Sequence, residues 1–262
     1  MRIALIQMTI ETGRRSANLM GALDWIDKAC EADPSPDVVV LPAYCDIGWP
    51  AAEAAELAEP VGGAFAESLA AKAREMGVHV VAGLTERDGA ALYSVAVLFD
   101  VDGDVLLRHR KINVPQPERD LYAPGDRLSA RRTTWGTVGL QVATDLSAGC
   151  LTEALAAMEA RVIFAPCAWA CRPGRDGPGI QAVAECLAER TTAAPVYLVS
   201  ANGVGQIDDG TQEPKVLFGG SMVYGPGGQA LLVGPENEQA LLTVEVPTNA
   251  DATAEQRTSR GR

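Results

Sequence analysis

The side chains in this sequence that are best suited to nucleophilic or metal chemistry are six cysteines and two histidines. The cysteines are scattered along the chain, at Cys30, Cys45, Cys150, Cys167, Cys171 and Cys186. Cys167 and Cys171 are close in sequence, but neither His79 nor His109 adjoins a second pair of ligands, which argues against a structural zinc site. Scattered cysteines in a chain of this length are typical of free thiols. We therefore expect no bound metal and no cofactor.

The composition is that of a folded globular protein with an acidic surface. The 262 residues are 47% hydrophobic and 21% charged, and the formal net charge is -12. No linker rich in proline, serine or charge divides the chain, so we expect a single domain over residues 1–246 and a polar tail over 247–262. The negative charge argues against nucleic acids and anionic membranes, which require clustered lysine and arginine.

The hydropathy pattern predicts neither a membrane span nor a cleaved leader. No apolar run approaches the roughly 20 residues needed to cross a bilayer, and the N-terminus MRIALIQM lacks a basic flank and a cleavage site. We therefore expect a soluble cytoplasmic protein whose partners are small molecules and other proteins.

Strand and helix signals alternate along the chain, and the final third is rich in strands. Strands are predicted over 3–7, 37–41, 79–83, 91–99, 105–109, 138–142, 162–165, 196–201, 220–224, 229–233 and 240–246, and helices over 18–29, 64–76, 151–160 and 180–192. Turns at Asp102-Gly103 and Gly225-Pro226-Gly227-Gly228 predict two antiparallel hairpins. Helices that alternate with strands in this way predict a layered α/β sandwich with helices on the outer faces.

Seven segments carry a family resemblance that spans nearly the whole chain. They are RIALIQM, DVVVLPAYCDIGWP, RHRKINVPQPERDLYAPGD, VGLQVATDLSAGCLTEALA, VIFAPCAWA, YLVSANGVG and FGGSMVYGPGG. In order and spacing they resemble the nitrilase (carbon-nitrogen hydrolase) superfamily. The resemblance implies an αββα sandwich that pairs across its helices into an αββααββα dimer. It also implies action on amides, nitriles or carbamoyl compounds through a Glu base, a Lys and a Cys nucleophile.

Two of the three catalytic positions implied by the resemblance are alanine in this chain. The family's Glu follows a proline at a strand end, and here Pro42 is followed by Ala43. The family's Cys lies two residues before an aspartate, and counting back from Asp145 gives Ala143. An alanine can neither attack a carbonyl carbon nor move a proton, so the ordinary thiol mechanism should be absent.

The family's lysine and its second glutamate are present. The lysine is Lys111, and the glutamate, which lies six positions before the proline of Pro-Gly-Asp, is Glu118. A desolvated lysine has an adjustable proton affinity, so this pair can act as proton donor and acceptor. An ion pair that is only a remnant of the family site is the alternative. Asp145 is the third catalytic candidate, with a structural hydrogen-bonding role as its alternative.

Other positions around these motifs also depart from the family. Its histidine after the lysine is Asn113, its Pro-Glu is Gly149-Cys150, and its Glu-Asn is Ala193-Ala194. Such widespread change favours a natural loss of the thiol mechanism over an ordinary amidase inactivated by substitution, which stays the alternative.

Further residues near the motifs are candidates for the pocket or for relocated chemistry. We expect Tyr44, Trp49, Thr144 and Trp169 to contact the substrate. Cys45 and Cys150 are the thiols nearest to the motifs, and relocated thiol catalysis at either one is an alternative to burial as a small apolar residue.

Two functions of different kinds fit this pattern. The first is an enzyme of changed chemistry, in which Lys111 and Glu118 promote a non-covalent proton-transfer reaction on a small polar metabolite. The second is a pseudoenzyme that binds a ligand or stabilises a partner. Because Glu and Cys have both become Ala, Lys111 has lost nearby negative charge, and the ligand is expected to supply a carboxylate.

Overall fold

The computed structural model of the chain describes residues 1–49, 55–116, 118–172, 179–207 and 215–248. Its helices are α1 (Arg15–Cys30), α2 (Ala64–Met76), α3 (Gly149–Ala157) and α4 (Ile180–Ala193). Its strands are β1 (Arg2–Gln7), β2 (Val38–Val40), β3 (His79–Asp88), β4 (Ala91–Phe99), β5 (Val105–Arg110), β6 (Ala130–Thr133), β7 (Gly136–Leu140), β8 (Ala160–Cys167), β9 (Ala170–Cys171), β10 (Tyr197–Asn202), β11 (Val204–Ile207), β12 (Lys215–Phe218), β13 (Met222–Gly225), β14 (Gln229–Val233) and β15 (Ala240–Glu245).

Two six-stranded sheets form the centre of the molecule. Their strand orders are β15-β1-β2-β3-β4-β5 and β14-β13-β10-β8-β7-β6. The sheets face each other, since β1 contacts β10 and β3 contacts β8. Helices α1 and α2 pack on the outside of the first sheet, and α3 and α4 pack on the outside of the second. The predicted αββα sandwich is therefore confirmed.

The central strands are parallel and buried on both faces. Strand β2 lies between β1 and β3, parallel to both, with Leu5 opposite Val40 and Val40 opposite Val81. Continuous runs of valine and isoleucine suit such positions because neither face of the strand meets water. In the second sheet β8 is likewise parallel to β7 and β10. The carboxyl ends of these strands therefore meet at one edge of each sheet, where the site residues lie.

The limits of helix α2 and of strands β4 and β14 agree with the sequence prediction, while other elements differ. Strand β3 continues to Asp88 because its antiparallel pairing with β4 extends to the hairpin turn. Strand β13 begins only at Met222, since Gly219 and Gly220 have φ angles of 72° and 64° that an extended strand excludes. Strand β6, with two exposed arginines in four residues, carries no strand signal in the sequence.

Among the described residues, no helix is both long and apolar enough to span a bilayer. The predicted polar tail over 247–262 lies outside the described residues from 249 onward.

Candidate active site

The candidate site is built from segments that follow strands of both sheets. Ala43 follows β2 and Lys111 follows β5 in the first sheet, while Ala143 follows β7 in the second. The backbone N–H of Ala43 donates to the carbonyl of Cys167, at the end of β8, over 3.0 Å. The backbone N–H of Ala143 acts on the thiol of the same cysteine. Both alanines therefore adjoin Cys167, one at its carbonyl oxygen and the other at its thiol.

A buried ion pair occupies this junction. Lys111 Nζ lies 2.6 Å from Glu118 Oε2, and the exposed fractions of the two side chains are 1% and 16%. The hydroxyl of Tyr44 donates to the same carboxylate oxygen over 3.3 Å. An ammonium group taken out of water is costly without a counter-charge, and here Glu118 supplies it. The structure thus brings Lys111, Glu118 and Tyr44 together.

The phenol of Tyr44 stays protonated in these surroundings. Burial, followed by the negative charge of Glu118, raises its pKa well above the ordinary value of 10.0. Tyr44 is therefore a hydrogen-bond donor to Glu118 at physiological pH and not an anion competing with it for Lys111.

The backbone at both alanine-bearing strand ends is unusual. Ala143 has a φ of 42° and Tyr44 a φ of 56°, both in the left-handed region that non-glycine residues rarely adopt. The approach of the two chain segments around Ala43 also depends on Gly83, where an added Cβ would collide with the Cα of Ala43. A conformation that costs about 1–3 kcal/mol persists only where the surrounding structure enforces it. The backbone at position 143 is therefore held in place by its surroundings.

Asp145 connects the loop that carries the lysine to the turn that carries Ala143. The side chain is fully buried, and four groups donate to its two oxygens, over 2.7 to 3.0 Å: the ring of His109 and the backbone N–H groups of Ile112, Asn113 and Val142. With both oxygens engaged in this way, Asp145 has the geometry of a structural residue. These contacts favour the structural alternative over its catalytic candidacy.

Asp145→Ala should lower the free energy of unfolding by at least about 3 kcal/mol, because several buried donors would lose their acceptor. Denaturant titration of the variant measures this loss. Asp126→Ala is the matched control, since that carboxylate is 79% exposed and pairs with its exposed neighbour Arg127. A loss below 1 kcal/mol for Asp145→Ala would contradict the assigned role.

Asn113 and Thr144 bond to each other and strengthen the same connection. The Asn113 amide donates to the carbonyl of Thr144 over 2.6 Å, and the Thr144 hydroxyl donates to the carbonyl of Asn113 over 2.7 Å. The hydroxyl of Thr144, predicted to contact substrate, is thus engaged within the protein.

The two tryptophans predicted for the pocket have different surroundings. The side chain of Trp169 lies beside the thiol of Cys167 and hence at the site. The ring of Trp49 lies 5.8 Å from the ammonium group of Lys215, and no described contact joins it to Lys111 or Glu118.

The thiols are free, and one that the sequence argument did not single out lies in the site. Cys45 is buried, and burial together with the charge of Asp46 raises its pKa well above 9.0. Cys150 is exposed on helix α3. Burial raises the pKa of Cys167 as well, but Ser200, the backbone N–H of Ala143 and Lys111 act in the opposite direction. Its position after Pro166, at the end of a buried strand, was the available sequence signal.

No cluster of three or more histidine, cysteine or acidic side chains suited to a metal ion occurs in the part of the chain that the structure describes.

Asp46, three residues after Ala43, is a second buried carboxylate close to the site. One oxygen accepts the backbone N–H of Thr85 over 2.7 Å, and the residue is 5% exposed. Burial raises its pKa from 3.8 to about 6. The folded protein therefore binds this proton more tightly than the unfolded chain does.

Stability should consequently fall as the pH rises from about 4 to about 6, by roughly 3 kcal/mol for a shift of this size. Asp46→Asn, which keeps an acceptor for Thr85, should remove that part of the pH dependence. Denaturant titrations at several pH values measure it, with the exposed Asp24→Asn as control. An unchanged pH profile in Asp46→Asn would show that this carboxylate is not the source.

Comparison with known proteins gives a consistent family assignment. The model of the carbon-nitrogen hydrolase family matches residues 2–255. An (R)-stereoselective amidase of Pseudomonas sp. is 29% identical over 239 residues, covering 91% of this chain and 82% of that protein. The human omega-amidase NIT2 is 27% identical over 240 residues, covering 88% of this chain and 83% of that protein.

Among solved structures, a variant of the amidase from Nesterenkonia sp. AN1 has a TM-score of 0.82 and 26% identity, and the match covers 100% of this chain and 96% of that chain. That structure contains the acetamide moiety of fluoroacetamide added covalently at the active site cysteine.

Proposed function

Because the chain belongs to the carbon-nitrogen hydrolase family, we propose that it is a member that acts on a small carboxylate-bearing metabolite without a covalent thiol intermediate. The proposal assigns Ala43 and Ala143 to the positions of the family's Glu base and Cys nucleophile. The single observation that carries it is the buried ion pair of Lys111 and Glu118, which lies where those strand ends meet.

The chemistry available to this pair is proton transfer. The Lys111 ammonium group donates hydrogen bonds and stabilises negative charge that develops on a substrate oxygen. Glu118 accepts a proton, and its hydrogen bond from Tyr44 fixes the orientation of the carboxylate. Addition, elimination, cyclisation and direct attack by water all need such a donor and acceptor, and none needs a thiol.

The proposed position of the ligand's carboxylate follows from the balance of charge around Lys111. Relative to the family pattern, positions 43 and 143 have lost one carboxylate and one potential thiolate. Lys111 then has Glu118 as its described acidic partner, and an incoming carboxylate restores the missing negative charge. We place the ligand's carboxylate beside Lys111, on the side of Ala43.

A ligand-binding pseudoenzyme is the second candidate, and one observation favours it. A single oxygen of Glu118 accepts from both Lys111 and Tyr44, so the cluster is already satisfied without a substrate. A cluster whose hydrogen bonds are complete without a substrate also suits a protein that binds a ligand or partner and catalyses nothing.

Incubation of the protein with a panel of small carboxylic acids and their amides, followed by mass spectrometry of the mixture, tests the proposal. We expect conversion of at least one acid by the wild type and none by Lys111→Met. Tight binding without any product would contradict the enzyme and support the pseudoenzyme.

We also propose that two copies pair across their helices, as the family resemblance implies, and that the protein is cytoplasmic. Its free thiols fit a reducing compartment. Light scattering at micromolar concentration should give at least twice the chain mass of 27.5 kDa, and a single-chain mass would contradict the pairing.

A further inference from the structure

Strand register and the turn after β7 place the thiol of Cys167 next to position 143. Strand β8 runs parallel to β7, with Leu140 opposite Phe164, and the N–H of Gln141 donates to the carbonyl of Phe164 over 3.0 Å. The β7 strand ends at Leu140, and the turn that follows brings the backbone N–H of Ala143 to the thiol of Cys167. The thiol thus lies one strand away from the position that the proposed function describes as vacated.

The contacts of Cys167 join it to both halves of the site. The hydroxyl of Ser200, on β10, donates to its sulfur over 3.3 Å, and Ala43 donates to its carbonyl oxygen over 3.0 Å. Burial raises the pKa of this thiol, while the hydroxyl of Ser200, the N–H of Ala143 and the ammonium group of Lys111 lower it.

The other thiols near the motifs lack this combination. Cys45 is buried beside the negative charge of Asp46, which disfavours the thiolate. Cys150 is exposed on helix α3. Of these three thiols, Cys167 is the one on which both a lysine and a backbone N–H act, the groups that stabilise a thiolate.

We propose that Cys167 is a nucleophilic thiol of this site and that it forms covalent adducts with small electrophilic carboxylic acids whose carboxylate is held by Lys111. This inference rests on the proposed function for the seat of the carboxylate. It goes further in assigning a covalent site and the class of ligand that reacts there.

The reaction with an α-iodo acid balances as a simple substitution. A bond forms between Sγ and the α-carbon, the carbon–iodine bond breaks, and iodide leaves with the bonding electron pair. The thiol proton passes to a base in the solvent. The product is a thioether, which water does not cleave, so the adduct persists and is not turnover.

A reagent held next to the thiol has to compensate for the small fraction of thiolate at this buried position. Burial raises the pKa of Cys167 to about 12, so an unguided reagent meets very little thiolate. A reagent held beside the sulfur gains a large effective concentration, which reaches about 10⁵ M in well-oriented systems. The thiol should therefore react selectively with reagents that Lys111 can hold.

The experiment treats the folded protein at pH 8.5 with iodoacetate or with iodoacetamide, which differ in one charged group, and measures labelling at each cysteine by peptide mass spectrometry. Exposed Cys150 is the internal reference, and buried Cys45 is the control for burial without Lys111. We expect the rate ratio of iodoacetate to iodoacetamide to be at least tenfold higher at Cys167 than at Cys150. Lys111→Met should abolish that preference, and Cys167→Ser should remove the adduct while Cys150 is still labelled.

The proposal is overturned if Cys167 in the folded protein resists iodoacetate, or if its rate ratio equals that of Cys150. Calorimetry separates this failure from failure of the proposed function. If acids bind in a way that depends on Lys111 but Cys167 does not react, only the inference about Cys167 is contradicted. An inert Cys167 without such binding would contradict both.

Discussion

Lys111→Met should weaken the binding of short carboxylic acids by roughly 10- to 100-fold, the value of a charge-assisted hydrogen bond in a buried site. Methionine has a similar length and no charge, so the change removes the proposed partner of the ligand and keeps most of the packing. Calorimetric titration with acetate, succinate and their primary amides measures the effect. Lys28→Met is the matched control, because that lysine is exposed and pairs with Asp24 on the surface of helix α1.

Glu118→Gln should have the opposite effect and strengthen the binding of the same acids. In the structure Glu118 neutralises Lys111, and a ligand carboxylate has to share or displace that contact. Glutamine keeps an acceptor for Tyr44 but removes the competing charge. Acids that bind the wild type and Lys111→Met equally, or amides that bind more tightly than their acids, would contradict the carboxylate seat.

Much of the fold follows from local sequence pattern. The run DVVVL predicts a strand with no polar face, and β2 indeed lies between two parallel strands. What local pattern does not predict are elements defined by their neighbours. Strand β6 is polar and lies at a sheet edge, where pairing with β7 alone keeps it extended. Strand β9 has two residues and depends on β12 in the same way.

The site was less predictable because its contacts join distant segments. Lys111 and Glu118 were singled out, but their 2.6 Å contact depends on a turn whose geometry sequence spacing does not specify. His109 and Asp145 are 36 residues apart, and only the packing of one sheet on the other brings them together. The nearness of the Cys167 thiol to Ala143 depends on the turn after β7, whose geometry the sequence pattern does not specify.

The wild type should not hydrolyse simple amides, nitriles or carbamoyl compounds, and Ala43→Glu with Ala143→Cys should not restore that activity. Loss of a catalytic nucleophile lowers a rate on the order of a millionfold, so the wild-type expectation is turnover at the level of the blank. The double variant would supply both groups, but under the proposed alignment Asn113, Gly149 and Ala193 also differ from the family pattern. A misplacement of about 1 Å is enough to lower a rate roughly a hundredfold.

The structure gives a specific reason to expect interference with the restored thiol. Cys at position 143 would lie beside Cys167, and the two thiols could be oxidised to a disulfide. The assay therefore contains a reductant and follows ammonia release from acetamide and butyramide. Ala43→Gln with Ala143→Cys is the matched control, because it adds the same bulk without a base.

Ammonia release by the double variant but not by this control would show that the geometry for thiol catalysis has survived at positions 43 and 143. The expectation from Asn113 would then be wrong, since that residue would prove compatible with the family's chemistry. Failure of both variants, with folding intact by circular dichroism, is the result we expect. It would mean that the Lys111 and Glu118 pair now belongs to a site whose geometry no longer accommodates the ordinary thiol mechanism.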